Sequence, residues 1–492
     1  MFDITEPLKP DAISPDGRPV SLQKQLTERI QQAILSGYLP ADTRLMSSRA
    51  LAKELGISRN TVVNVYEHLA AEGYILADRQ GTRVAPVSGL ASKATAPMQS
   101  RPGTVQLATR LTPFITNPLQ PESDALLSPG MPAIKEFPIT VWRRAIERAN
   151  RQFMPRMLGY GAPTGEYALR DAIATHLHVA RGVRCDPHRI VITEGARQAL
   201  ELCVTLLTDP GDTVWMEEPG YRGAKAAFSA GNLHMEMMKV DGEGVCIPED
   251  AWQNRAPKLI YLTPAHQYPT GAVLSVSRRL SLITQAARKN AWLIEDDYDG
   301  DFRHSGGPIA SMQGLTEDAP VFFYIGSFSK TMFPSLKLGY VVFPPNVMKQ
   351  ASTVLNEIMR SGQQLQQLAL ADFMKSGEFG RHLGRMRRLY RERQRILRQA
   401  LTEHFSPEQV LGGKSGMHLT LLLAPGTDDK KIVSLARQHG IGVQAFSSYS
   451  VSNDAAAGLV IGYGNTPAEV IPEAVSVLAA LSKQERRFSS AV

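Results

Sequence analysis

The chain reads as two fold classes in series: a small α+β winged helix-turn-helix module, then a larger α/β domain with a mainly parallel sheet that finishes in a smaller α+β part. Three observations predict this. Between Ser48 and Val62, two short helical patterns meet at Gly56-Ile57-Ser58. From about residue 125 onward, β-branched runs alternate with helical patterns, the signature of a layered α/β fold. Between them, residues 87–124 lose all periodicity to Ser, Ala, Thr, Pro and Gly, as a linker does. The expected boundaries are therefore 12–86, 87–124 and 125–492, with the small part from about 346 to 492.

Leu22, Leu26, Ile30 and Ile34 recur every four residues and line one face of a first helix, with Gly37 placed to end it. Ser48 opens a short second helix with Leu51 and Leu55 inward. Ser58 can cap the third, whose apolar face is Val62, Val65, Tyr66 and Leu69 and whose end is Gly73. Arg59, Asn60, Thr61 and Asn64 are left outward near its start, and these residue types contact phosphates and base edges. Tyr74-Ile75-Leu76 and Thr82-Arg83-Val84 flank Asp78-Arg79-Gln80-Gly81, a two-stranded wing with a turn. Residues 18 to 86 hold nine Lys/Arg against six Asp/Glu, a net +3. Farther on, the strand runs are 189–192, 213–216, 259–262, 292–295 and 321–324, followed by helical patterns and weaker strands at 419–423 and 459–461.

Bulk composition narrows the class. With 492 residues, 43% hydrophobic and 21% charged, the chain can bury more than one core, and a net charge of +7 permits an anionic partner without requiring one. Cys185, Cys203 and Cys246 show neither metal-ligand nor disulfide-framework spacing, which suits a reducing compartment. Met1 is followed by Asp3 and Glu6 rather than a basic and apolar leader, and no apolar run approaches the ~20 residues of a spanning helix. The expectation is a cytoplasmic protein with no membrane contact and no metal.

Lys330, in Ser327-Phe328-Ser329-Lys330, follows a hydrophobic strand, and a lysine amine can condense with an aldehyde to a Schiff base. A pyridine-ring aldehyde cofactor also needs an acid at its ring nitrogen, a donor to its phenolic oxygen, an aromatic plate and a phosphate site. Asp296-Asp297-Tyr298 ends a strand and can supply the first two; Tyr221, after Pro219-Gly220, is a candidate plate. Thr193-Glu194-Gly195-Ala196-Arg197 passes from strand to helix, so the amides of Gly195, Ala196 and Arg197 can face a phosphate. Ser327 adds a hydroxyl and Lys337 a charge. Taken singly, each has a plainer reading as a solvated acid, a packed turn or a helix start; their order and spacing are what point to a cofactor.

That order resembles fold-type I aminotransferases, and with the N-terminal module the chain from about Ser21 to Leu481 resembles the MocR group of GntR-type bacterial regulators. Residues 45 to 74 resemble a GntR winged helix, 263 to 271 (Thr-Pro-Ala-His-Gln-Tyr-Pro-Thr-Gly) a MocR signature, 327 to 339 the Schiff-base segment, and 382 to 398 the group's basic small-domain helix, read as a solvated face. The resemblance implies pyridoxal 5'-phosphate on Lys330, Asp296 at the ring nitrogen, Tyr298 at the phenolic oxygen and Tyr221 stacked on the ring. It also implies a head-to-tail homodimer in which Tyr160, in Tyr160-Gly161-Ala162-Pro163-Thr164-Gly165, reaches the partner subunit's cofactor phosphate.

Several positions depart from the pattern. Lys337 stands where arginine is usual, a point charge instead of a fork. Met46 replaces a common proline, and the wing is short. Most consequentially, Leu459-Val460-Ile461-Gly462 has valine where aminotransferases carry the arginine that clamps a substrate carboxylate. The implied function is a DNA-binding transcriptional regulator that senses pyridoxal phosphate or an amine or amino-acid effector. Ser48, Arg49, Ser58, Arg59, Asn60, Thr61, Gln80 and Gly81 would then hold double-stranded operator DNA. The alternative is an active aminotransferase with a DNA-binding appendage; Val460 speaks against efficient transamination, and so against an enzyme.

Overall fold

The computed structural model describes residues 5–14, 17–78, 81–86, 108–112, 114, 124–152, 154–307, 309–315, 322–360, 362–452 and 455–489. The chain divides into two compact units, 1–106 and 107–492.

In the first unit, α1 (Leu22–Leu35), α2 (Ser48–Leu55) and α3 (Arg59–Ala71) pack around Leu26, Ile30, Leu51, Val62, Val65 and Leu69, the positions the helical spacing marks. Each helix starts on a serine whose side chain accepts a backbone N–H: Ser21 from Lys24, Ser47 from Ala50 and Ser58 from Asn60, all at 3.2 Å. Gly56 takes a left-handed φ of +66° and closes α2, so the turn into α3 is sharp. The wing is an antiparallel pair, β1 (Ile75–Asp78) and β2 (Gly81–Val84), with Asp78 opposite Gly81. Met46, where proline was the expectation, offers its carbonyl to the Tyr66 hydroxyl at 2.9 Å and so ties the approach to α2 onto α3.

The second unit holds α4 (Ile139–Arg151), α5 (Tyr167–Arg181) and an alternating series: β3 (Ile190–Thr193), α6 (Ala196–Leu207), β4 (Thr213–Glu218), α7 (Arg222–Ala230), β5 (His234–Asp241), β6 (Gly244–Val245), β7 (Leu259–Leu262), α8 (Val276–Lys289), β8 (Trp292–Asp297), β9 (Phe322–Ser327) and β10 (Gly339–Val342). These strands make one eight-stranded sheet in the order β3-β10-β9-β8-β7-β4-β5-β6. The sheet is mixed. β10 runs antiparallel between β3 and β9, because the chain returns from β9 through residues 328–338 without the crossover helix that a parallel return requires. Neither β10 nor β5 was among the strand runs read from sequence.

After β10 come α9 (Pro345–Ile358), α10 (Gln364–Lys375) and α11 (Glu378–Thr402). The antiparallel sheet β11-β12-β14-β13 (Val410–Gly412, His418–Leu422, Gly458–Gly462, Gln444–Ala445) follows, with α12 (Asp429–Gln438) and α13 (Ile471–Ser489). α11 is only partly the solvated basic face expected. Arg387 donates to the Asp301 carbonyl, Arg393 to that of Gly464, and Arg398 to those of Val410 and Gly412, so the first two staple the helix to loops and the third to β11, while Arg385, Arg388, Arg391 and Arg395 are exposed. Among the described residues no helix is long and apolar enough to cross a membrane.

The end of β8 carries three consecutive acids, Glu295 and Asp296 buried and Asp297 with its side chain only 6% exposed. Glu295 accepts the amides of Met312 at 2.9 Å and Gln313 at 3.4 Å; Asp296 accepts the Tyr261 hydroxyl at 2.7 Å; Asp297 accepts Arg181 Nε at 2.6 Å, the Gly300 amide at 3.1 Å and the Tyr324 hydroxyl. Arg181 and Asp297 are both almost wholly buried, so removing one strands the other's charge. Arg181→Met is expected to lower the stability of the second unit by about 3–5 kcal/mol, read from the shift of its urea midpoint; an unchanged midpoint would show that the pair is not anchoring β8.

Candidate functional site

In open α/β sheets, ligands gather beyond the carboxyl ends of the parallel strands. Here a cavity of about 470 Å³ opens at that edge, over the ends of β7, β8 and β9 and the start of α6. Its wall includes Gly195, Ala196, Arg197, Tyr221, Asp296, Tyr298, Ser327, Lys330 and Lys337. Nine of the ten cofactor residues expected from sequence thus lie around one space.

Lys330 is half-buried, and its Nζ donates to the Gly130 carbonyl at 2.6 Å. Asp296 is almost fully buried; burial pushes its carboxyl up to about 7, against the Tyr261 hydroxyl, which lowers it. Only Oδ2 is engaged by Tyr261, and Oδ1 is buried with no partner among the described residues. A buried acceptor of this kind fits a protonated ring nitrogen. Gly195 leads into α6 at φ +95°, and Gly339, the first residue of β10, is pressed against it: a Cβ at 339 would lie 2.7 Å from Gly195 Cα. That contact joins the start of α6 to the β9–β10 connection that carries Lys337, and both line the cavity, a combination that suits an anion. Lys337 itself adopts φ +52°, uncommon for a residue with a side chain.

Tyr160 is not brought to this cavity. It is 85% exposed, with the Arg360 guanidinium 5.2 Å from its ring centre. In the first unit Arg49, Ser58, Arg59 and Asn60 are exposed, Ser48, Thr61 and Gly81 half-exposed, and Gln80 lies outside the described residues.

Sequence reading missed the residues that shape the wall. Tyr261 was seen only as part of a strand, although a tyrosine inside a fully buried run must find a partner for its hydroxyl, and that partner is Asp296. Glu217 carries no sequence signal of its own. It is buried at the end of β4, where it accepts the Thr263 amide at 3.1 Å, the Thr263 hydroxyl at 2.5 Å and Gln267 Nε2 at 3.4 Å. The 263–271 segment is therefore a loop folded onto Glu217, with Thr270 Oγ1 donating to Gln267 Oε1 at 2.6 Å. Its Tyr268 stands perpendicular to Tyr221 (centroids 6.2 Å apart) and to Tyr298 (5.7 Å), and its hydroxyl meets that of Tyr449 at 2.9 Å.

His266, Asp299 and His418 hold ligand-type atoms within 4.8 Å of one another. His266 Nδ1 already meets Asp299 at 3.0 Å and the Tyr298 hydroxyl at 3.0 Å, and His418 Nε2 meets the Pro269 carbonyl at 3.0 Å, so the cluster is a hydrogen-bond network. Burial holds His418 neutral, its pKa pushed down to about 3. Val460, fully buried in β14, packs with Phe446, Tyr449 and Tyr268.

Comparison with known proteins agrees with both parts. Residues 22–84 match the model for bacterial regulatory proteins of the gntR family, and residues 126–478 match aminotransferase class I and II. Among solved structures, kynurenine aminotransferase of Pyrococcus horikoshii superposes with a TM-score of 0.68 at 24% identity, over 77% of this chain and 96% of that one. LysN, an α-aminoadipate aminotransferase of Thermus thermophilus, gives 0.68 at 25% identity over 77% and 96%. Fold and site thus define a class: a helix-turn-helix module of the GntR type joined to an aminotransferase-type domain. A probable rhizopine catabolism regulatory protein MocR of Rhizobium meliloti is 34% identical over 93% of each chain. The pyridoxine biosynthesis transcriptional regulator PdxR of Corynebacterium glutamicum is 30% identical over 93% of this chain and 94% of that one. The chain belongs to the MocR-type regulators of the GntR family.

Burial pushes the Glu217 carboxyl up to about 7, from 4.5 when unfolded. Between those values the folded state binds the extra proton, so this residue's contribution to stability is present below pH 4.5 and is lost as pH rises through 7. Glu217→Gln keeps an acceptor for Thr263 and does not titrate. Relative to wild type, its stability should improve from pH 5 to pH 8 in paired urea titrations; a constant difference would contradict the assignment.

Proposed function

We propose that the protein is a DNA-binding transcriptional regulator whose second unit holds pyridoxal 5'-phosphate through Lys330 and reads the state of that pocket. The observation that carries the reading is that Lys330 lines one cavity with Asp296, whose buried Oδ1 has no partner among the described residues. Asp296 would hold the ring-nitrogen proton, Tyr298 the phenolic oxygen and Tyr221 the ring face. The amides of Gly195, Ala196 and Arg197, with Ser327 and Lys337, would hold the phosphate. The cofactor supplies an aldehyde that condenses reversibly with amines; the chain supplies binding, orientation and exclusion of water.

The kynurenine aminotransferase likeness was seen in a complex with PMP, which supports a ligand of this chemical type. The 85% exposure of Tyr160, beside exposed Met154, Leu158 and Tyr167, supports a homodimer in which Tyr160 completes the partner's phosphate site. The operator would be held by Ser48, Arg49, Ser58, Arg59, Asn60 and Thr61, with Gln80 and Gly81 in the wing. We assign these roles to 12–86 and to 125–492, whose small part begins near 346, joined through 87–124. Val460 argues against amino-acid turnover. An effector acts only by favouring one state of the regulator over another; equal binding to both would shift nothing.

Purified with pyridoxal phosphate, the wild type should show a visible absorption band that Lys330→Ala lacks; equal spectra would remove Lys330 as the anchor. In an anisotropy titration, Arg59→Ala should weaken operator binding and reduce its salt dependence. Unchanged affinity and salt slope would move the reading surface away from α3.

A further inference from the structure

The cavity's cations gather towards one end, where Glu194 and Glu201 also stand, and none of the described residues brings a cation to the other. Among the described residues, the cations on its wall are Arg197, Lys330 and Lys337. Gly339 packed on Gly195 draws Lys337 and the start of α6 together at the β3 edge, and Lys330 is the anchor. The sheet order sets β7, which leads into Tyr268, four strands from β3. There the wall is Tyr268, Tyr298, Met417 and His418, with the carboxylate of Asp299 alongside. His418 is neutral, and behind Tyr268 the space is filled by Val460, Phe446 and Tyr449, with the Tyr268 and Tyr449 hydroxyls bonded to each other.

A ligand carboxylate reaching that end would lose water, meet no cation among the described residues of this chain's wall and sit near Asp299. Uncompensated burial of a charge is strongly unfavourable. Aromatic faces and hydroxyls instead suit an apolar, hydroxylated or cationic body. We infer that the ligand read beside Lys330 is a primary amine that bears no carboxylate. This rests on pyridoxal phosphate being held by Lys330, and it narrows the effector to one chemical class.

The test uses the full chain loaded with pyridoxal phosphate and two matched pairs, tyramine against L-tyrosine and cadaverine against L-lysine, with Kd from calorimetry and the visible band followed in parallel. In at least one pair the amine should bind about tenfold or more tightly than its amino acid, the factor that one unmade charge-assisted contact represents. Val460→Arg should narrow the gap by improving the amino acid. The wild-type comparison stands by itself if that variant fails to fold. Amino acids binding as tightly as their amines, or neither binding while the visible band is intact, would overturn the inference. Absence of the band from wild-type protein would instead overturn the cofactor reading beneath it.

Discussion

Three carboxylates in a row cannot share one environment inside a protein, and the second unit is arranged around that constraint. A strand turns successive side chains to opposite faces, so Asp296 is turned away from Glu295 and Asp297, which share a face. Each is then met from a different element: backbone amides near 312 for Glu295, Tyr261 on β7 for Asp296, and Arg181 at the end of α5 with Tyr324 on β9 for Asp297. The outer two are satisfied within the chain. The middle one lines the cavity and keeps one buried acceptor with no partner among the described residues.

The 263–271 loop follows the same logic. Glu217 is pushed up by burial and relieved by Thr263 and Gln267, and it holds by hydrogen bonds the turn that presents Tyr268. The carboxyl buried under one wall and the aromatic ring exposed on it are parts of one arrangement.

Much of this was legible in the sequence because it depends on local order. Helix starts at serines, a lysine after a strand and a glycine leading into α6 each leave a trace within a few residues. Two things escaped. β10 follows β9 without a helix, so its direction is set by a return path that has no periodic signal. Tyr261, Tyr268 and His418 come from three separate segments, and only tertiary packing brings them to one wall with Tyr449 behind Tyr268. Val460 was visible as a missing charge, but not that aromatic side chains fill the space around it.

The contact of Gly339 with Gly195 has a consequence for how the chain responds to its medium. The direction of the first α6 amides is fixed there by atoms that cannot approach closer, not by attraction between charges. Dissolved ions screen attraction and leave contact distances alone. Exposed Arg49 and Arg59 have no such shelter. Raising ionic strength therefore weakens any attraction at those arginines while the direction of the α6 amides is unchanged.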